Sequence, residues 1–200
     1  MAKANWAVVN PSSGSGNATV NVSSSAVHTG RNVRSTVLTI TAANVDAKTV
    51  SVTQQGKPSY VDAQDAATAA KAGQNVTISG KANSAKLTFS LGTGNLAVSL
   101  PTSYTAGGVT TNNGAAISGD PGATSEYTFS IVINVPTNTS INEQTRQIIV
   151  TDEGGNTDTC LLTQAAGDAT LSVSKTSIEL AYTGEAVSFE VTSNTSWIIS

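Results

Sequence analysis

Apolar and polar residues alternate along several stretches of the chain, which is the period-2 pattern of half-buried β-strands. The clearest stretches surround Leu38, Phe89 and Phe189. Polar segments rich in Gly, Asn, Ser and Asp separate them, as expected for turns. Asp62–Ala72 is Ala-rich without an apolar stripe, so we expect a surface connection with at most a turn or two of helix. The pattern predicts an all-β fold built of sandwiches.

Two stretches lying 110 positions apart repeat the same arrangement, Thr36–Gln54 and Arg146–Gln164. Each consists of two alternating segments joined by a short polar loop, and each ends in Thr-Gln. Leu38 of the first stretch aligns with Ile148 of the second. This spacing predicts two copies of one β-hairpin.

A second match runs at an offset of 100 positions and aligns Ile78, Leu87, Phe89, Leu91 and Val98 with Ile178, Val187, Phe189, Val191 and Ile198. Residues 58–167 therefore contain both halves of a module in order, and we expect them to form one complete sandwich. Residues 1–57 carry the closing half of a second module, and residues 168–200 carry its opening half. The second module is thus split between the two termini, and its halves should each expose an apolar face.

Composition narrows the function classes. The chain is 38% hydrophobic and only 12% charged, with a formal net charge of −3 and no basic cluster. We therefore expect no nucleic-acid partner. No apolar run approaches 18 residues, so we expect no membrane span. The N-terminus has no apolar signal region, so we expect the chain to be made and kept in a cytoplasm unless a signal has been removed.

No residue set predicts catalysis. His28, the single histidine, lies in the polar stretch Ser25–Asn32 without a nearby carboxylate cluster, so we expect a surface-loop side chain. Its replacement by Ala should then change neither fold nor assembly. Cys160, the single cysteine, cannot form an intramolecular disulfide. Its position in the hairpin repeat predicts a small core side chain.

Oxygen-bearing side chains cluster in the loop of the second hairpin, where Asp152, Glu153, Asn156 and Asp158 surround two glycines. They have the chemistry of calcium ligands, but their spacing is not that of an EF-hand loop. We therefore interpret the loop as a solvated turn. The run Gly14–Gly16 lacks the Lys and the strand–helix context of a phosphate loop, so we interpret it as a turn as well. We expect neither a metal nor a cofactor.

Three stretches carry a family resemblance. Asn194–Trp197 closes an alternating segment, Trp6 precedes a Ser-Gly-rich turn, and Arg34–Ile40 leads on to Gln55-Gly56. Together they resemble the BACON family, immunoglobulin-like sandwiches common in gut Bacteroidota and their phages. The resemblance implies that both tryptophans occupy core positions. The family's elements are permuted here, and Ala97 stands where the central module would carry the first tryptophan.

The chain also resembles auxiliary capsid proteins of crAss-like phages. That resemblance implies a virion structural protein, made in the host cytoplasm, that decorates a capsid and is not an enzyme. The implied partners are further copies of the chain, through the terminal halves, and the major capsid protein. The alternative is a carbohydrate-binding or adhesion module that recognises surface glycans. A cluster of Tyr60, Tyr104 and Tyr182 on one exposed face would favour this alternative.

The split halves should complete each other, and we expect this between molecules; the alternative is a fold-back in which one chain closes its own module. Entry and exit lie at opposite poles of such modules, so the central sandwich would hold residues 168–200 away from residues 1–57. We expect the opening half of one copy to dock onto the closing half of a neighbour by strand complementation. The expected interface residues are Trp6, Val20, Val22, Leu38, Ile40, Phe189, Val191 and Trp197.

Overall fold

The computed structural model describes residues 2–200, which form β-strands and one short 3-10 turn at Pro121–Ala123. The all-β prediction is confirmed. No helix in this range is long and apolar enough to cross a bilayer. The strands are β1 (Ala7–Asn10), β2 (Asn21–Ser24), β3 (Arg34–Ala42), β4 (Val45–Gln54), β5 (Val61–Ala63), β6 (Ala66–Ala69), β7 (Gln74–Ala82), β8 (Leu87–Gly94), β9 (Ser103–Ala106), β10 (Val109–Asn112), β11 (Tyr127–Val135), β12 (Gln144–Asp152), β13 (Thr157–Gln164), β14 (Leu171–Val173) and β15 (Val191–Ser193).

Two sheets in the middle of the chain form a sandwich. The first has five strands in the order β10-β9-β11-β7-β5, and the second has four in the order β6-β13-β12-β8. Their facing side chains make one continuous apolar core, to which Ile78 and Phe129 contribute from the first sheet and Ile148 and Leu162 from the second. Burial of such side chains is the main stabilising contribution to a sandwich of this size.

The Ala-rich stretch is not a helical or irregular connection, so that expectation is wrong. It overlaps β5 and contains β6, and β6 pairs in parallel with the edge of β13. Ala67 and Ala69 point into the core and are buried, whereas Ala66 and Thr68 are exposed. The alternation was hidden in the sequence because alanine occupies both faces and gives no apolar contrast between them.

Three two-stranded ribbons lie outside the central sandwich: β1–β2, β3–β4 and β14–β15. The N-terminal ribbons contact the end of the sandwich at Asn83, just after β7. The C-terminal ribbon contacts the opposite end at Thr139, just after β11. β7 and β11 are antiparallel and paired along nine residues, so these two contact regions are about 30 Å apart.

The hairpin repeat is present in the structure with identical registers. Leu38 lies opposite Val50 in β3–β4, and Ile148 lies opposite Cys160 in β12–β13. Both pairs are related by the offset of 110 positions found in the sequence.

The predicted match at an offset of 100 has the wrong register. β14–β15 pairs in the way that β5–β7 does, whereas β8 pairs with β12. Gly73 (φ 78°) and Gly184 (φ 75°) occupy equivalent turns before these strands. The equivalent of Phe189 is therefore Ile78, at an offset of 111, and Lys86 rather than Ala97 stands at the place of Trp197. Alternation fixes which face a residue occupies, but segments can be slid in steps of two without losing it.

Candidate assembly surfaces

Arg31 connects the N-terminal ribbons to the central sandwich. Its Nη2 donates to both carboxylate oxygens of Asp120 at 2.7 and 2.6 Å, and its Nη1 donates to Oε1 of Glu153 at 3.1 Å. Its Nε also donates to the carbonyl of Asn83 at 2.9 Å. The Arg31 side chain is only 14% exposed. A partly buried guanidinium whose three nitrogens all donate to fixed oxygens sets orientation as well as contributing energy.

Asn83 lies at the centre of this first junction and is completely buried. Its Nδ2 lies within hydrogen-bonding distance of three carbonyl oxygens, those of Thr29, Lys57 and Pro58, at 3.1–3.2 Å. Its Oδ1 accepts from the backbone N–H of Tyr60 at 3.0 Å. The side chain therefore satisfies backbone groups on two segments that meet without a shared sheet.

The junction between the central sandwich and the C-terminal ribbon repeats this arrangement around Asn194. Its Nδ2 donates to the carbonyls of Thr139 and Asp168 at 3.1 and 2.8 Å, and its Oδ1 accepts from the N–H of Thr170 at 2.8 Å. These partners are the counterparts of Thr29, Pro58 and Tyr60, each 110 positions further along the chain.

A backbone hydrogen bond also occurs at equivalent places beside the two junctions. The N–H of Lys57 donates to the carbonyl of Gly30 at 2.9 Å, and that of Gly167 donates to the carbonyl of Ser140 at 2.7 Å. Each bond joins residues of one repeat at the place where the next repeat begins. The asparagine and backbone contacts at the two ends of the central sandwich therefore repeat one arrangement, whereas Ile141 stands at the place of Arg31.

His28 belongs to the first junction and is not a surface residue, so that expectation is wrong. It is only 7% exposed, and its Nε2 lies 2.7 Å from the carbonyl oxygen of Asn32. Asn138, the counterpart of His28, is also buried and donates to the carbonyl of Asn142 at 2.9 Å. Both side chains bind the carbonyl four residues ahead, which gives His28 a structural role.

The β3–β4 ribbon carries an apolar face that the structure leaves open. Ile40 is 53% exposed and Val50 is 49% exposed. Their counterparts in the central sandwich, Val150 and Cys160, are 0% exposed because the opposite sheet covers them. The other face of the ribbon is largely polar, as on the solvent side of an ordinary sandwich.

The C-terminal segment presents a matching open face. Phe189 is 40% exposed and Leu180 is 66% exposed. Their counterparts, Ile78 and Ala69, are 0% and 5% exposed in the central core. Two sets of core-type side chains, one on each side of the central sandwich, therefore lie in contact with solvent. Exposed apolar patches of this kind mark interaction surfaces in water-soluble proteins.

The predicted interface residues divide between the N-terminal ribbons and the C-terminal segment. Trp6 is half-buried beneath the guanidinium of Arg34, 4.7 Å from the ring centroid, and Trp197 is 48% exposed. Among residues 2–200 no strand of the C-terminal segment pairs with a strand of the N-terminal ribbons. Four further members are exposed, namely Val20, Val22, Ile40 and Phe189. The last two, Leu38 and Val191, are partly buried.

The three tyrosines that would favour a glycan site do not share an exposed face. Tyr104 is buried in the central core, where its hydroxyl accepts from the N–H of Leu87 at 3.1 Å. Tyr60 is half-buried and donates to Glu126 at 2.6 Å; burial and this carboxylate raise its pKa. Tyr182 is fully exposed on the C-terminal segment.

The acidic hairpin loop is more ordered than the solvated turn that we expected. Asp152 is buried, and the N–H and Nδ2 of Asn156 both donate to its carboxylate at 2.8 Å. Burial opposes its ionisation, but these bonds outweigh that effect and lower its pKa. Asp158 accepts from the N–H of Ala63 at 2.7 Å, and Glu153 binds Arg31. Residues 2–200 contain no group of three or more acidic, His or Cys side chains arranged to hold a metal ion.

Sequence reasoning missed the polar junction residues Arg31, Asn83 and Asn194. The two asparagines occur at the offset of 111 positions, so the corrected repeat would have paired them. The partners of Arg31, Asp120 and Glu153, lie 89 and 122 positions away along the chain, so no local sequence pattern predicts these contacts.

Comparisons with known proteins add little to this picture. No family model matches the chain, and no curated protein matches it. A variant of an endo-fucoidan hydrolase from glycoside hydrolase family 107 is similar in structure over 82% of this chain and 22% of that chain. The TM-score is 0.28 and the sequence identity is 13%.

Proposed function

We propose that this chain is a virion structural protein, an auxiliary or decoration protein on a phage capsid, that assembles by completing its partial sandwiches against further copies. It acts through surfaces and not through catalysis. The observation that supports assembly is the pair of open core faces, each of which is fully covered at the equivalent place in the central sandwich. The resemblance to auxiliary capsid proteins supports the capsid as the setting and the major capsid protein as a further partner.

The repeated junction supports the same proposal. Because Asn83 and Asn194 fix successive modules with equivalent bonds, each added copy would continue the array with the same geometry. A head-to-tail contact of this kind propagates into a chain or closes into a ring. Regular spacing of identical modules suits a protein that covers a symmetric shell.

The setting is tested by fractionation of cells that produce the chain from its own gene. Particles are banded on a density gradient, and the amount of this chain relative to the major capsid protein is measured by mass spectrometry. We expect the chain to band with the capsid protein at a fixed ratio that survives a second gradient. Recovery in the cell envelope or the secreted fraction, with none on particles, would contradict the proposal.

A further inference from the structure

The central sandwich shows how the open edge of β4 would be covered. In that sandwich β6 pairs in parallel with β13, with Leu161 opposite Ala66 and Gln164 opposite Ala69. β4 is the counterpart of β13, but it pairs only with β3 among the described residues. An unpaired edge beside an open apolar face is a template for an added strand.

The counterpart of β6 is Ser177–Leu180, and it lies in the C-terminal segment. The assignment follows from Gly73 and Gly184, which have equivalent positive φ angles and fix the offset of 111 on either side of this turn. Ile178 and Leu180 take the places of the buried Ala67 and Ala69, and both are exposed in the chain by itself.

We propose that Ser177–Leu180 of a second copy adds as a parallel strand to β4 at Ser51–Gln54, in the register of β6 on β13. This proposal rests on the assembly function proposed above and names its contact. Val52 lies opposite Ile178 of the second copy, and Gln54 lies opposite Leu180. The second copy's Val187 and Phe189, counterparts of the buried Val76 and Ile78, then cover the apolar face of β3–β4.

The hydrogen bonds available to Gln54 are consistent with this register. Its counterpart Gln164 is 1% exposed, and its Nε2 donates to the carbonyls of Ala70 and Pro136 at 3.2 and 2.6 Å. Gln54 accepts through Oε1 from Arg34 at 2.9 Å and from Ser24 at 3.1 Å. In the proposed contact its Nε2 donates to the carbonyl of Ala181 of the second copy, the counterpart of Ala70.

The corresponding segment of the same copy is held away from this edge. The N-terminal ribbons and the C-terminal segment are attached about 30 Å apart at opposite ends of β7 and β11. Gly167 and Thr170, on the way to Ser177, are held at the far end by bonds to Ser140 and Asn194. The occupant of the β4 edge is therefore a second copy.

Disulfide trapping tests both the register and the identity of the partner. In a Cys160→Ala background, Thr53→Cys and Glu179→Cys are introduced; they are the counterparts of the opposed pair Thr163 and Thr68. Neighbouring strands are about 4.8 Å apart, within the range a disulfide spans. The matched control replaces Ser177 instead of Glu179, which shifts the second thiol by two residues along the same face to a distance of about 8 Å.

Oxidation of the Thr53→Cys, Glu179→Cys chain should give a ladder of covalent multimers, and the control should give none. Mixing the two single-cysteine chains should give a covalent heterodimer that stops at two copies. A fast-migrating covalent monomer would overturn the second-copy assignment, and a stronger ladder in the control would overturn the register. If neither pair crosslinks while sedimentation shows self-association, this contact is wrong and the assembly function stands. If the chain neither crosslinks nor self-associates at any concentration, both proposals fail.

Discussion

At the scale of single residues, comparison with the repeat identifies a polar side chain as structural even where its residue type alone suggests a surface position. The sequence alone does not show whether a single histidine in a polar stretch is a surface residue or a structural one. Its counterpart Asn138, with the same bond to the carbonyl four residues ahead, identifies a structural position. The long-range partners of Arg31 were beyond prediction because they depend on how three distant loops meet.

This equivalence gives a prediction for His28 that reverses the expectation from sequence. His28→Asn should preserve stability, because Asn makes the same bond at position 138. His28→Ala should cost about 1–2 kcal/mol, because it removes the hydrogen bond to the carbonyl of Asn32 and leaves a small void at a buried side chain. Urea unfolding followed by tryptophan fluorescence measures the difference, since Trp6 lies in the same segment. Equal loss for both substitutions would show that shape, not the hydrogen bond, matters here.

At the scale of elements, the sequence pattern predicts which face of a strand is buried better than it predicts the register of the strand. The hairpin repeat was predicted in the correct register because two strands and their turn had to align together. The match of Phe89 with Phe189 failed because a single alternating strand carries no marker of position along its length. The alanine-rich strand β6 was missed for a related reason, since its two faces look alike in sequence.

The central sandwich should be an independent folding unit. Residues 58–167 contain both sheets and the whole continuous core, so we expect β-type circular dichroism and one cooperative unfolding transition. Cys160 is a built-in probe, because burial raises the pKa of its thiol to about 11. At about pH 8 a thiol reagent should modify it only as fast as the sandwich unfolds. Rapid modification of the native fragment, or a dye-binding chain without a transition, would contradict this assignment.

At the scale of the whole molecule, the structure is one closed sandwich flanked by two-stranded ribbons that expose apolar side chains. The closed module provides the internal standard: side chains that are 0% exposed within it, such as Cys160, have counterparts such as Val50 that are 49% exposed outside it. The order of the repeated halves in the sequence is the basis for the prediction of a divided module, which stays a prediction. The sequence could not predict the repeated polar junctions, which arise from contacts between modules and not from strand patterns.

One comparison tests the central claim that the open face of β3–β4 is an assembly surface. Val37 and Val50 lie on opposite faces of this ribbon and are 46% and 49% exposed, so replacement by Asp should cost each isolated chain a similar small amount of stability. Sedimentation velocity is measured across concentration for the unmodified chain, Val37→Asp and Val50→Asp. We predict that the unmodified chain and Val37→Asp self-associate with rising concentration, while Val50→Asp remains a monomer because a charge would be buried without a partner. An unmodified chain that is monomeric throughout, or equal association of both variants, would contradict the account.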